Sequence, residues 1–582
     1  MTTDNLLHEF PPVSTQSWED AIARDLKGAD YARRLIWQTE EGLAVKPYYR
    51  AEDIAGLEGL NAAPGAPPYA KGSRLTGEWR IREEINAAGP EQANHEAMCA
   101  VAAGAEQIAF LNVVVRNALD LGMLLGNLQR TPVHIQNAGE PLLRLLIERF
   151  KGRKNPQPLS TGWNPLTDPD FAAEVLSSAP PTLIPFTVDG SEFEVNGATS
   201  VEEAGFTLAA AIDFFAEMQS RGVEIDRAAA AIEFSFAIGA NYFFQIAKFR
   251  AFRMLWARVV ESFGGKPEGA RARMHARTSS WNKTIYDPHV NILRATTEAM
   301  SAVLGGADSI AVAPFDECYK TPDEASRRLA RNTQIILKQE ALLAHVADPG
   351  AGSYCLEVLT DFIARESWKL MQTIESAGGY RKASADGQIA EALRHSLAKR
   401  EKAVASRRRI FTGTNQFADP TERALDSVEP LCLAGDRRGA RSYESLRLRT
   451  ERHATMTGFA PRVLLAEFGD VKMRSARSTF AASFFACAGF NILTQRFHCA
   501  DEIAACDADL IVLCSSDPEY LELATELVLR LKAFGRTTPL IVAGNPEGAA
   551  QLRAVGVADF IHIRSKPIEV LTNWQRQLGI KA

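Results

Sequence analysis

Four short stretches of this chain carry groups that could do chemistry. The first, Trp79-Arg-Ile-Arg82, ends two residues before Glu84. The second is Gly190-Ser191-Glu192, a hydroxyl beside an acid; an ionised carboxylate accepts hydrogen bonds but cannot donate one to a carbonyl. The third runs Arg277-Thr-Ser-Ser-Trp281, with Asp287-Pro288-His289 downstream. Arg277 and Trp281 could face a substrate channel or simply anchor a loop, and both readings stand. Asp287-Pro-His289 is a turn by composition, and nothing nearby gives His289 a partner for acid–base work. The fourth holds Lys472, Arg474 and Arg477. A guanidinium has no free lone pair, so it cannot ligate a metal. No histidine lies between Pro461 and Phe497, and His498 reads as a surface or edge histidine. No metal site is expected.

The whole chain narrows the classes further. Its 582 residues are too many for one core, so two or more domains are expected. A net charge of −6 argues against a nucleic-acid partner. The eight cysteines form no C-x-x-C pair, which leaves buried reduced thiols as the default. Met1-Thr-Thr-Asp-Asn5 has neither the basic nor the apolar part of a secretory signal, and no stretch approaches a membrane span. A cytoplasmic protein is expected. There is no P-loop, no G-x-G-x-x-G and no G-x-S-x-G, so nucleotide hydrolysis and serine-esterase chemistry have no support.

The elements that must position these groups fall into four segments. Residues 1–41 read as a docking arm, with Phe10-Pro-Pro and an amphipathic run from Trp18 to Leu26 that must pack on its own barrel or on a partner. Residues 42–410 alternate strand-like and helical runs: strands at 109–115 and 182–188, helices at 204–215, 242–256 and 325–343. Repeated β-then-α units favour a parallel α/β architecture, with a (β/α)8 barrel the usual solution at this size and a doubly wound sheet still open. Residues 411–460 are charged and poor in apolar runs. They read as a linker whose Arg437, Arg438, Arg441, Arg447 and Arg449 form a solvated face or a belt between domains. Residues 461–582 alternate buried strands at 462–466, 509–514 and 539–543 with helices at 476–488, 519–534 and 546–555, a flavodoxin-like doubly wound sheet.

From Arg277 to Tyr354 the chain resembles the acyl-CoA mutases of the methylmalonyl-CoA mutase family. The resemblance rests on Arg277-Thr-Ser-Ser-Trp281, Val303-Leu-Gly-Gly-Ala-Asp-Ser309, Asp316-Glu317, Ala330-Arg-Asn-Thr-Gln334 and Ala347-Asp-Pro-Gly-Ala-Gly-Ser-Tyr354. It supports the barrel, and implies adenosylcobalamin as cofactor and a radical rearrangement of an acyl-CoA. It also makes Arg82, Arg277 and Trp281 candidates for the substrate channel. Where the family keeps its chemistry, this chain differs. The tyrosine after Trp-x-Ile-Arg is replaced by Glu84, which would sit near a substrate carboxylate and repel it. The family's Tyr-His pair is replaced by Ser191 and Glu192. Its Asp-x-His-x-x-Gly, with the cobalt ligand, falls on Lys472, Arg474 and Arg477. Its Ser-x-Leu falls on Ser515 and Asp517, and its Gly-Gly on Ala543 and Gly544.

Scaffold kept and chemistry lost resembles the smaller chain of the family's heterodimers. That implies a larger catalytic subunit as partner, holding cofactor and acyl-CoA. Two alternatives carry less. A self-sufficient homodimeric mutase must explain Glu84 and Glu192. A regulatory protein has the Ala558–Pro567 segment in its favour, similar to the end of a response-regulator receiver, but lacks the acidic pair such a receiver needs.

Overall fold

The computed structural model describes residues 13–151, 153, 157–433 and 436–581. Eight parallel strands close into a barrel: β1 (Arg80–Ile85), β2 (Gln107–Phe110), β3 (Val133–Ile135), β4 (Leu159–Thr161), β5 (Leu183–Ile184 and Phe186–Asp189), β6 (Ile232–Ile238), β7 (Met274–Thr278) and β8 (Ser309–Ala311). Pro185 splits β5, because proline cannot donate to the ladder. Its first piece pairs with β4 and its second with β6, and this closes the ring. Helices surround it, among them Ser200–Ser220, started by a reciprocal cap between Thr199 and Glu202, and Tyr242–Ser262. Outward-facing Ile108, Phe110, Val133, Ile135 and Phe234 join the helices' apolar faces in one large core.

The C-terminal sheet has five parallel strands: β9 (Arg462–Glu467), β10 (Asn491–Arg496), β11 (Leu510–Cys514), β12 (Leu540–Ala543) and β13 (Val557–Ile561). They lie in the order β10-β9-β11-β12-β13, the flavodoxin-like winding, whose ligand crevice opens beside β9 and β11 at their carboxyl ends. Among the described residues no helix is long and apolar enough to cross a membrane.

Several local expectations change. The strand expected at 109–115 is β2, Gln107–Phe110; the chain leaves the barrel after Phe110, and Asn117 caps the helix Ala118–Leu124. The charged 411–460 stretch is not an open linker: it contains the helix Arg441–Thr457, with Tyr443 and Leu446 in the core shared with the small sheet. Arg438 and Arg447 are buried in it, Arg438 paired with Asp436 and Glu444 and Arg447 lying 3.7 Å over Tyr286, whereas Arg437 and Arg441 are exposed. Arg449 is intermediate. The helix Thr15–Asp25 buries none of its residues on the barrel; Trp18 stacks on Tyr48 and stays half exposed. Phe10-Pro-Pro lies outside the described residues.

Candidate functional site

Small side chains on the barrel's inner face make room for large polar ones. Ala109, Ser160, Ser309 and Ala311 leave the axis to Arg82, His134, Glu233 and His275. Arg82 donates to Glu233 at 2.7 Å, both buried. His134 Nδ1 lies 2.9 Å from Ser160 Oγ and 3.7 Å from Glu233, and its Nε2 meets Gln136 at 2.8 Å. His275 Nδ1 meets Ser309 Oγ at 2.9 Å. Burial, then the Arg82 charge, lowers the His134 pKa to about 4, and the same two causes hold His275 well below its usual value. Burial works to push Glu233 up, but Arg82 and His134 outweigh it and hold the carboxyl down. The axis is thus crossed by one carboxylate–guanidinium pair flanked by two neutral imidazoles.

At the carboxyl end of the strands Arg277 is clamped. Its Nε donates to both oxygens of Glu84, at 2.9 and 3.0 Å, and a terminal nitrogen donates to Glu317 at 2.6 Å. Glu317 first, then Glu84, raise the Arg277 pKa further. Glu84 is therefore engaged in an internal pairing. Ser191 Oγ donates to Asp189 at 2.5 Å, and Glu192 stands exposed beside it on the first turn after β5. Trp281 does not face the axis. It is 2% exposed, lies in the core shared with the small sheet, and carries Arg400 at 4.0 Å and Arg409 at 4.5 Å over its ring. His289 is exposed and stacks on Phe315.

At the carboxyl edge of the small sheet, Lys472 points to solvent. Arg474 is buried and donates to the Gly469 carbonyl at 2.9 Å. Arg477 crosses the crevice: it donates to Asp517 after β11 at 3.0 Å and lies over Gly544 after β12, where an added Cβ would sit 2.7 Å from its guanidinium. Ser515 is buried and turned away, donating to Glu519 at 2.5 Å. Ser516 joins it there, and these hydrogen bonds hold Glu519 down to about 2. Tyr520 ties the β11 loop to the Ala543 carbonyl at 2.7 Å. His498 is exposed past the end of β10. Sequence reasoning missed His562, on the same edge after β13, whose Nδ1 accepts from the Arg564 amide at 3.1 Å. It also missed His134, Glu233 and His275, which belong to no motif and are marked only by being polar on strands.

The sequence matches the family model described as methylmalonyl-CoA mutase over residues 38–123 and 170–457. The chain belongs to the methylmalonyl-CoA mutase family. It is 37% identical to the methylmalonyl-CoA mutase small subunit of Porphyromonas gingivalis, over 99% of both chains. With the small subunit of Streptomyces virginiae the identity is 32%, over 99% of this chain and 98% of that one. A chain of Escherichia coli named methylmalonyl-CoA mutase is 26% identical, over 94% of this chain and 96% of its own. The family barrel is therefore the frame in which the clamped Arg277 and the crossed axis stand.

Proposed function

We propose that the chain is the smaller, non-catalytic subunit of a cytoplasmic, heterodimeric methylmalonyl-CoA mutase that interconverts methylmalonyl-CoA and succinyl-CoA. The observation that carries this reading is Arg477, which fills the crevice of the small sheet from Asp517 to Gly544. Bound adenosylcobalamin supplies the radical that such a rearrangement needs. The residues here do not fit it: Lys472, Arg474 and Arg477 provide no lone pair for cobalt, and Ser515 spends its hydroxyl on Glu519. In this reading the cofactor belongs to a larger partner subunit, which also takes the acyl-CoA. The barrel supports the same division of labour. Glu84, Ser191 and Glu192 stand at the family's catalytic positions, Arg277 is neutralised by two carboxylates, and the Arg82–Glu233 pair blocks the axis to a pantetheine chain. This chain's own contribution is a broad face buried against the catalytic subunit, which steadies that subunit's barrel.

The test is a visible spectrum. The purified chain is incubated with adenosylcobalamin in the dark and desalted. A colourless protein that turns a co-expressed larger homologue into a stable, cobalamin-bearing complex supports the reading. Corrin absorbance eluting with this chain alone, near one per chain, overturns it in favour of a self-sufficient mutase.

A further inference from the structure

Beside the barrel mouth lies a cleft of about 520 Å³, a size that suits a small ligand. Trp37, Gln38, Glu40 and Glu41 cover it, Gly239–Asn241 and Gln245 form its floor, and Arg400, Arg408 and Arg409 line one wall. It includes neither the Arg277 clamp nor the Arg477 crevice. Most charges inside cancel. Arg400 pairs with Glu194 at 3.0 Å, Arg409 with Glu40 at 2.7 Å, and Glu203 with Lys248 at 2.6 Å.

The groups left over point one way. Arg400 is only 6% exposed, yet its Nε makes no hydrogen bond, and the Glu40 carboxylate is 4.0 Å off. Arg408 is exposed and forms no ion pair among the described residues. The 21-residue helix Tyr242–Ser262 starts beside the cleft, after Asn241, with no side chain capping it, so its positive end lies near the cleft. Against these donors stands Gln245, also 6% exposed, whose Oε1 has no partner. Glu41 Oε2 is unpartnered too, and burial pushes its carboxyl up, towards the neutral form that donates a hydrogen bond.

From these unpaired groups we infer a binding site for a small organic anion, a carboxylate or a phosphate ester, that carries a hydroxyl. The acid group meets Arg400 Nε, Arg408 and the helix start, and the hydroxyl donates to Gln245 Oε1. The site stands apart from the subunit reading and does not need a partner chain.

The full chain is titrated with glycerate and with glycerol phosphate, and with acetate and inorganic phosphate as probes lacking the hydroxyl. Trp37, 49% exposed and lining the cleft, reports by fluorescence. One hydroxylated probe is expected to saturate and to bind more tightly than its hydroxyl-free counterpart, which decides between carboxylate and phosphate. Arg408→Ala, at an exposed position, weakens it at least about tenfold, the scale of one charge-assisted contact. Trp37→Phe removes the fluorescence change but keeps the rise in Tm that the probe gives wild type in a parallel melt. No saturation by either probe up to about 10 mM, the range of negligible affinity, overturns the site, as does equal binding to Arg408→Ala.

Discussion

The barrel axis and the carboxyl edge of the small sheet are both filled by an arginine, but at different depths. Arg82 and Glu233 meet inside the barrel, with side chains 2% and 10% exposed. Arg477 and Asp517 meet at a rim, with side chains 22% and 48% exposed. A pair of the first kind is locked, since removing either partner strands a charge in a medium that cannot solvate it. A pair of the second kind is held loosely, because water and salt already screen it. The barrel's inner pair is therefore tied to its folding energy, whereas the rim pair only covers an edge.

The sharpest way to break that contrast is at Glu233. Glu233→Ala leaves Arg82 without its carboxylate and is expected to cost about 3–5 kcal/mol, read as a fall in the urea midpoint of the barrel transition. Pairing it with Arg82→Met should recover most of that loss, because two apolar groups of similar volume need no partner. If Glu233→Ala costs no more than a surface change, the axis is wetter than its burial implies and the comparison fails.

Acidification should act next on the axis. His134 has a folded pKa of about 4 against an ordinary 6.5. Between those values the unfolded chain takes up a proton that the native chain refuses, so the group's effect is to lower stability as pH falls. Glu203, raised to about 7 by burial, works the other way, since the native chain then holds the extra proton and loses stability as pH rises from 4.5. His134→Gln isolates the first effect. Measured against wild type in urea, the variant should gain about 2 kcal/mol in relative stability between pH 7 and pH 5. A constant gap would mean that His134 titrates normally.

The two regions also differ in how far the sequence disclosed them. The parallel α/β character of both regions was legible because strand-helix alternation is a local signal, but for residues 42–410 it left a doubly wound sheet open, and the family resemblance decided for the barrel. Glu84 lies at the carboxyl end of β1, and Ser191 follows β5. What each side chain does there was not legible. Glu84 meets Arg277 across 193 residues of sequence, and Arg477 reaches Asp517 across 40. Such pairings depend on which strands become neighbours, and neither composition nor spacing encodes that. The same limit explains why Arg447 read as part of a solvated face or a belt between domains: its aromatic partner Tyr286 is far away in sequence. Arg438 differs, since its carboxylates Asp436 and Glu444 lie close in sequence and only their shared burial was not legible.

The smallest effect is expected at the rim. Arg477→Ala keeps helical propensity in Val471–Ala486 and removes only a screened pair, so it should cost less than about 1 kcal/mol in urea unfolding. It also clears the space over Gly544. The β11 loop nonetheless stays tied: Glu519 holds Ser515 and Ser516, and Tyr520 holds the Ala543 carbonyl. The variant should therefore remain colourless after incubation with adenosylcobalamin and desalting. Corrin retained by Arg477→Ala but not by wild type would make this one guanidinium, rather than the whole loop set, the gate of the crevice.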